Sequence, residues 1–115
     1  MPLEPTSKAN APHYVWGGDC DGWRLVDRPD LSVIHERMPP ERREVRHFHT
    51  QSRQFFFILA GALTLEVDGR SHALAAGTGL EIAPGTPHQA INAGPDAAEF
   101  LVISQPTTRG DREPA

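Results

Sequence analysis

Proline and glycine punctuate this chain so evenly that a fold built on long helices is ruled out. Eleven prolines and ten glycines fall among 115 residues, and they separate short apolar runs instead of pooling in one linker. No apolar stripe with helical period lasts beyond two turns, whereas period-two alternation recurs, as in Leu63, Leu65 and Val67. Strands are expected near His13–Trp16, Trp23–Val26, Leu31–Met38, Glu44–His49 and Gln54–Leu59, and then near Ala62–Val67, His72–Leu74, Leu80–Ile82, Gln89–Asn92 and Glu99–Ser104. Asp68-Gly69 directly follows the alternating run and suits a two-residue type I′ hairpin loop. Leu59-Ala60-Gly61 and Ala83-Pro84-Gly85-Thr86-Pro87 read as further turns. Many short strands at this spacing imply an all-β sandwich or barrel.

The length and the 38% hydrophobic content provide for one domain with a modest core. Residues 13–104 are expected to form it, with residues 1–12 and 105–115 as extended or frayed arms, because both ends are rich in proline and poor in large apolar side chains. Eleven Lys and Arg against fifteen Asp and Glu give a net charge of −4 with no basic cluster, so neither nucleic acid nor an anionic membrane is an expected partner. The single Cys20 cannot form an internal disulfide. The N-terminus lacks an apolar signal-like region, and the longest apolar run, Phe55 to Ala60, is too short to span a bilayer, so a cytoplasmic protein is expected.

Chemistry concentrates around two motifs. His47 and His49 lie two apart in an expected strand, so both imidazoles project to one side, about 7 Å apart along the backbone. Alone, such a pair is weak evidence, because it is more often an accident of polar surface or a satisfied core pair than a metal site. The sequence continues as His47-x-His49, four residues, Gln54, six residues, Gly61, and later Gly77, five residues, Ala83, one residue, Gly85, two residues, His88, three residues, Asn92. This arrangement resembles the two motifs of the cupin superfamily and, with the segment between them, covers Val45 to Asn92.

The resemblance implies a double-stranded β-helix, a cupin or jelly-roll barrel of two antiparallel sheets. It also implies one divalent metal ion inside the barrel, held by His47, His49, His88 and the residue at position 54. Here Gln54 occupies the family's glutamate position, and Ala83 stands where a proline is usual. A neutral amide in place of a carboxylate leaves more positive charge at the site, which favours Lewis-acid work over iron redox cycling. Zinc, nickel, manganese or ferrous iron would suit the mixed nitrogen and oxygen set.

The same donor set is similar to that of small pectin-degradation cupins that process unsaturated uronates, although the acidic residue of their last strand has no counterpart in Phe100-Leu-Val-Ile-Ser104. The expected function is therefore isomerisation, ring opening or tautomerisation of a small anionic sugar acid or keto acid, with the proton-transfer residue unidentified. The alternatives are a ferrous dioxygenase and a non-catalytic barrel that binds a small ligand. Strand parity offers Phe56, Ile58, Phe100 and Val102 as pocket residues, and Arg109 as a side chain able to reach a carboxylate at the barrel mouth. Phe55 and Phe57 would form an apolar outer face, from which a homodimer is expected.

Overall fold

The computed structural model describes residues 3–115; Met1 and Pro2, the start of the expected N-terminal arm, lie outside the described residues. Among these residues twelve strands follow one another: β1 (His13–Trp16), β2 (Cys20–Asp27), β3 (Ser32–Met38), β4 (Arg42–Arg43), β5 (His47–Phe48), β6 (Arg53–Ala60), β7 (Ala62–Val67), β8 (Arg70–Ala75), β9 (Gly79–Ile82), β10 (His88–Asn92), β11 (Ala98–Gln105) and β12 (Glu113–Pro114). They form two antiparallel sheets. One has the order β1-β2-β3-β11-β6-β9; the other runs β12-β5-β10-β7-β8, with β4 also on β10.

Alternation in the sequence decides which face is buried. Gln54, Phe56 and Ile58 of β6 and Ala98, Phe100, Val102 and Ser104 of β11 point between the sheets, where they meet Leu63 and Leu65 of β7. Register then stacks inward residues in rows across the first sheet. Ile58 lies opposite Phe100, Phe100 opposite Glu36, Glu36 opposite Gly22, and Gly22 opposite Tyr14.

Two turns show local chemistry agreeing with topology. Asp68 and Gly69 both adopt positive φ, 50° and 87°, as the expected type I′ loop demands. Gly61 turns β6 into β7 at φ 72°, and a Cβ there would lie 2.4 Å from the Ala97 carbonyl oxygen.

The expected strand Glu44–His49 is not continuous. Within it only His47–Phe48 forms a strand, β5, while Arg42–Arg43 just before it form β4; both pair with β10, with Arg43 opposite Ile91 and His47 opposite His88. Four steps on one strand thus face three on the other, so one extra residue bulges between them. Glu44 fills the gap: its carboxylate accepts the Ala90 N–H at 2.9 Å and its carbonyl accepts Gln89 Nε2–H at 2.8 Å.

The expectation of a frayed C-terminus is also corrected. Residues 106–115 return to the edge of the second sheet, where β12 pairs with β5 and the Ala115 N–H donates to the Arg46 carbonyl at 3.1 Å. A polar side chain anchors them: Asp111 accepts hydrogen bonds from the backbone of Thr50, Gln51 and Ser52 and from the Thr50 hydroxyl. Composition alone does not reveal such an anchor.

Candidate metal centre

The three histidines meet because β10 lies beside β5. His47 and His88 are direct cross-strand partners, and His49 follows β5 on the same side. Ring centroids are 4.5 Å apart for His47 and His88, 4.8 Å for His47 and His49, and 5.5 Å for His49 and His88. All three side chains are buried, and each offers a ligand nitrogen within 4.8 Å of the others.

Backbone carbonyls fix the orientation of every ring. The Nδ1–H groups of His47 and His88 donate to the carbonyls of Val45 at 2.7 Å and Thr86 at 2.9 Å, and that of His49 donates to the carbonyl of Asp111. Each Nε2 is therefore the lone-pair nitrogen, facing inward. Burial holds all three imidazoles below their ordinary range, His47 down to about 3, where the Val45 hydrogen bond opposes the shift and Arg112, His88 and His49 deepen it. At neutral pH the site is three uncharged donors.

Gln54 enters from the opposite sheet. Its Nε2 donates to Ser104 Oγ at 3.1 Å, which turns Oε1 away from that bond. Oε1 of Gln54 and Nε2 of His49 and His88 are buried without a hydrogen-bond partner. Buried polar atoms are seldom left unpaired, because each costs about 1–3 kcal/mol of desolvation. A cation bound by these atoms would satisfy them, so the donors present fit a divalent metal.

The segment that anchors the C-terminus also shapes this centre. Burial pushes the Asp111 carboxyl up, but hydrogen bonds from Thr50, Gln51 and Ser52 together outweigh it and hold it at about 2. Fixed as an anion, Asp111 ties the loop between the motif residues to the C-terminal segment, and its own backbone carbonyl orients His49.

A cavity of about 160 Å³ opens beside the histidines. Phe56 and Val102 line it as expected, whereas Ile58 and Phe100 are fully buried in the core below. Arg109 does not reach the cavity: it pairs with Asp27 at 2.7 Å on another part of the surface. Arg112, read from sequence only as solvated tail, is the arginine that lines the cavity, with Nη2 3.4 Å from the Val45 carbonyl.

Three further polar residues face the same space: Tyr14, Glu36 and Glu44. Glu36 carries a readable signal, since it shares parity with the buried Ser32 and Met38 of β3. Glu44 does not, because the bulge turns it to the side of His47, its Oε2 3.9 Å from Nδ1. Burial raises the Glu44 carboxyl to about 7, against the Ala90 N–H and Arg112.

The family model for the cupin domain matches residues 34–104, more than half of the chain. No curated protein matches the sequence. Among solved structures, a sugar phosphate isomerase from Silicibacter pomeroyi is similar at 22% identity, covering 90% of this chain and 76% of its own, with a TM-score of 0.77. KdgF from a Halomonas species shares 17% identity over 92% of this chain and 96% of its own, with a TM-score of 0.82. The polyketide cyclase RemF from Streptomyces resistomycificus shares 18% over 98% and 83%, with a TM-score of 0.80. At these identities the likeness is one of fold, the double-stranded β-helix, and together with the family match and the histidine cluster it places this chain in the cupin superfamily.

Proposed function

We propose that this protein is a metal-dependent enzyme that isomerises, ring-opens or tautomerises a small anionic sugar acid or keto acid. The observation that carries this reading is the set of inward, buried and unpartnered donor atoms: Nε2 of His49 and His88 and Oε1 of Gln54, with His47 beside them. His47, His49, His88 and Gln54 would hold one divalent ion, which supplies Lewis-acid polarisation of a substrate oxygen. Because all four donors are neutral, the site keeps nearly the full charge of the ion and attracts an oxyanion.

Arg112 lines the cavity and has no carboxylate within ion-pair distance among the described residues. Beyond the contact of Nη2 with the Val45 carbonyl, its guanidinium has N–H groups to offer a substrate carboxylate. Cavity size sets a limit, since roughly 150 Å³ accommodates one benzene-sized molecule. A single sugar ring or a short oxo acid fits and a polymer does not. The names of two structural neighbours, an isomerase and a cyclase, agree with chemistry that needs no external oxidant.

Turnover of a panel of uronates and 2-oxo acids by metal-loaded protein, followed by NMR with and without oxygen, tests this reading. Conversion that proceeds equally under argon is expected. Conversion that requires and consumes oxygen overturns it in favour of a dioxygenase, and binding without conversion leaves a ligand-binding barrel.

We further propose that the protein is a homodimer closed over the outer face of β6. There Phe55 and Phe57 stack at 6.3 Å between centroids, and Phe55 remains 38% exposed.

A further inference from the structure

We propose that Glu36, presented by β3 and held by Tyr14, is the acid–base residue that moves a proton on a carbonyl substrate in the histidine-lined cavity. This inference rests on the metal-dependent reading above.

Glu36 faces the cavity from a wall that mixes apolar side chains with the polar Tyr14, Glu44 and Arg112. Ile34, Phe56, Val102 and Trp16 line the cavity around it. Among the described residues its one hydrogen bond comes from Tyr14, whose hydroxyl donates to Oε2 at 3.4 Å, and no cation stands within ion-pair distance. A carboxyl kept in such a place without a salt-bridge partner costs stability that an apolar side chain would not. Packing therefore gives no reason for it, whereas proton transfer does.

The sheet is built to make this contact. Tyr14, Gly22 and Glu36 form one cross-strand row, with the glycine in the middle. A Cβ at Gly22 would lie 2.2 Å from Tyr14 Cζ, so only glycine lets the phenol ring lie flat across β2 to reach β3. Arg24 sits over the ring at 4.4 Å from its centroid and steadies it from the other side.

Charged and titratable groups face Glu36 from each neighbouring element: Tyr14 from β1, Arg24 from β2, Glu44 from the bulge and Arg112 from the C-terminal segment. Burial raises its carboxyl to about 8 and Glu44 adds to the rise, while Tyr14, Arg112 and Arg24 oppose it. Such a group exchanges its proton near neutral pH, where an acid–base residue is most effective.

In the step proposed, the Glu36 carboxylate takes the proton from the carbon next to the substrate carbonyl. The C–H electron pair becomes the C=C bond of an enolate, and the carbonyl π pair moves onto oxygen. Where the carbon that lost the proton bears a hydroxyl, that hydroxyl's proton passes to the former carbonyl oxygen. The oxygen left behind forms the new carbonyl as the C=C pair takes the proton back from Glu36 at the former carbonyl carbon, giving the isomer and restoring the carboxylate. No oxidant or co-reactant is consumed.

Solvent deuterium incorporation tests the assignment. Zinc-loaded wild type, Glu36→Gln, Tyr14→Phe and His49→Ala are incubated in heavy water with D-galacturonate, D-glucuronate and 2-oxobutanoate, and exchange next to the carbonyl is read by NMR beside metal content. Wild type should exchange at least one probe. Glu36→Gln should keep one equivalent of metal and lose about 100-fold or more of the exchange rate. Tyr14→Phe removes a hydrogen bond that favours the carboxylate, so it should move the midpoint of the pH–rate profile upward without loss of metal. Exchange in Glu36→Gln within about threefold of wild type overturns the role of Glu36. So does metal-bound wild type that exchanges none of the probes. Wild type that takes up no zinc overturns the underlying metal reading instead.

Discussion

Glutamine in place of a carboxylate sets the character of this site at the scale of single residues. Gln54 contributes a neutral oxygen while its amide nitrogen is held by Ser104 Oγ. Gln54→Glu adds a formal charge beside the ion, and the hydroxyl of Ser104 can still donate to it. Metal affinity, measured by competition with a chromogenic chelator, should tighten by about tenfold or more. Titration of the metal-free protein gives a second prediction. Glu36 loses its proton at about 8 in the folded chain against an ordinary 4.5, so the folded state binds more protons between these values and stability falls as pH rises through them. His47 has the opposite sign: with about 3 against an ordinary 6.5, it costs stability as pH falls below 6.5. Melting temperature should therefore peak between pH 4.5 and 6.5, and Glu36→Gln should flatten the alkaline limb. An unchanged alkaline slope in that variant would show that Glu36 titrates as it does in the unfolded chain.

Elements matter here chiefly where they depart from regularity. The hairpin at Asp68-Gly69 and the inward faces of β6, β7 and β11 were legible because turn chemistry and alternation are local properties. Glu44 was not legible, since a bulge of one residue reverses parity between β4 and β5, and what specifies it is a side chain bonding to a strand far away in sequence. The C-terminal segment escaped for a similar reason: a proline-rich, charged composition gives no sign that Asp111 has waiting N–H donors some sixty residues back. That element is expected to be functional. Asp111→Ala should release the segment, leave His49 without its fixed carbonyl and weaken metal binding by about 10–100-fold while the barrel still folds. Gly61→Ala is the structural counterpart: positive φ and the Ala97 oxygen at 2.4 Å should lower thermal stability by about 1–3 kcal/mol without altering the metal centre.

Over the whole molecule, two sheets place donors from opposite walls around one interior point, and neither sheet holds the full set. His47, His49 and His88 come from the sheet that carries β5 and β10, and Gln54 comes from β6 across the barrel. Motif spacing made this constellation readable before the fold was seen, because each spacing is a count of residues along strands and turns. The polar lining added by β1 and the C-terminus depends on register and was out of reach, whereas Glu36 on β3 was signalled by its parity with Ser32 and Met38. The outer face of β6 bears on assembly: Phe55→Glu should convert the proposed dimer to a monomer in sedimentation equilibrium with the barrel intact, and an unchanged mass would place the interface elsewhere. The central claim is that the interior donors hold a metal. Elemental mass spectrometry on untagged wild type and His49→Ala tests it most directly. One equivalent of a divalent transition metal in wild type, lost in the variant, is the expected result; no metal in either, and none taken up on addition, contradicts it.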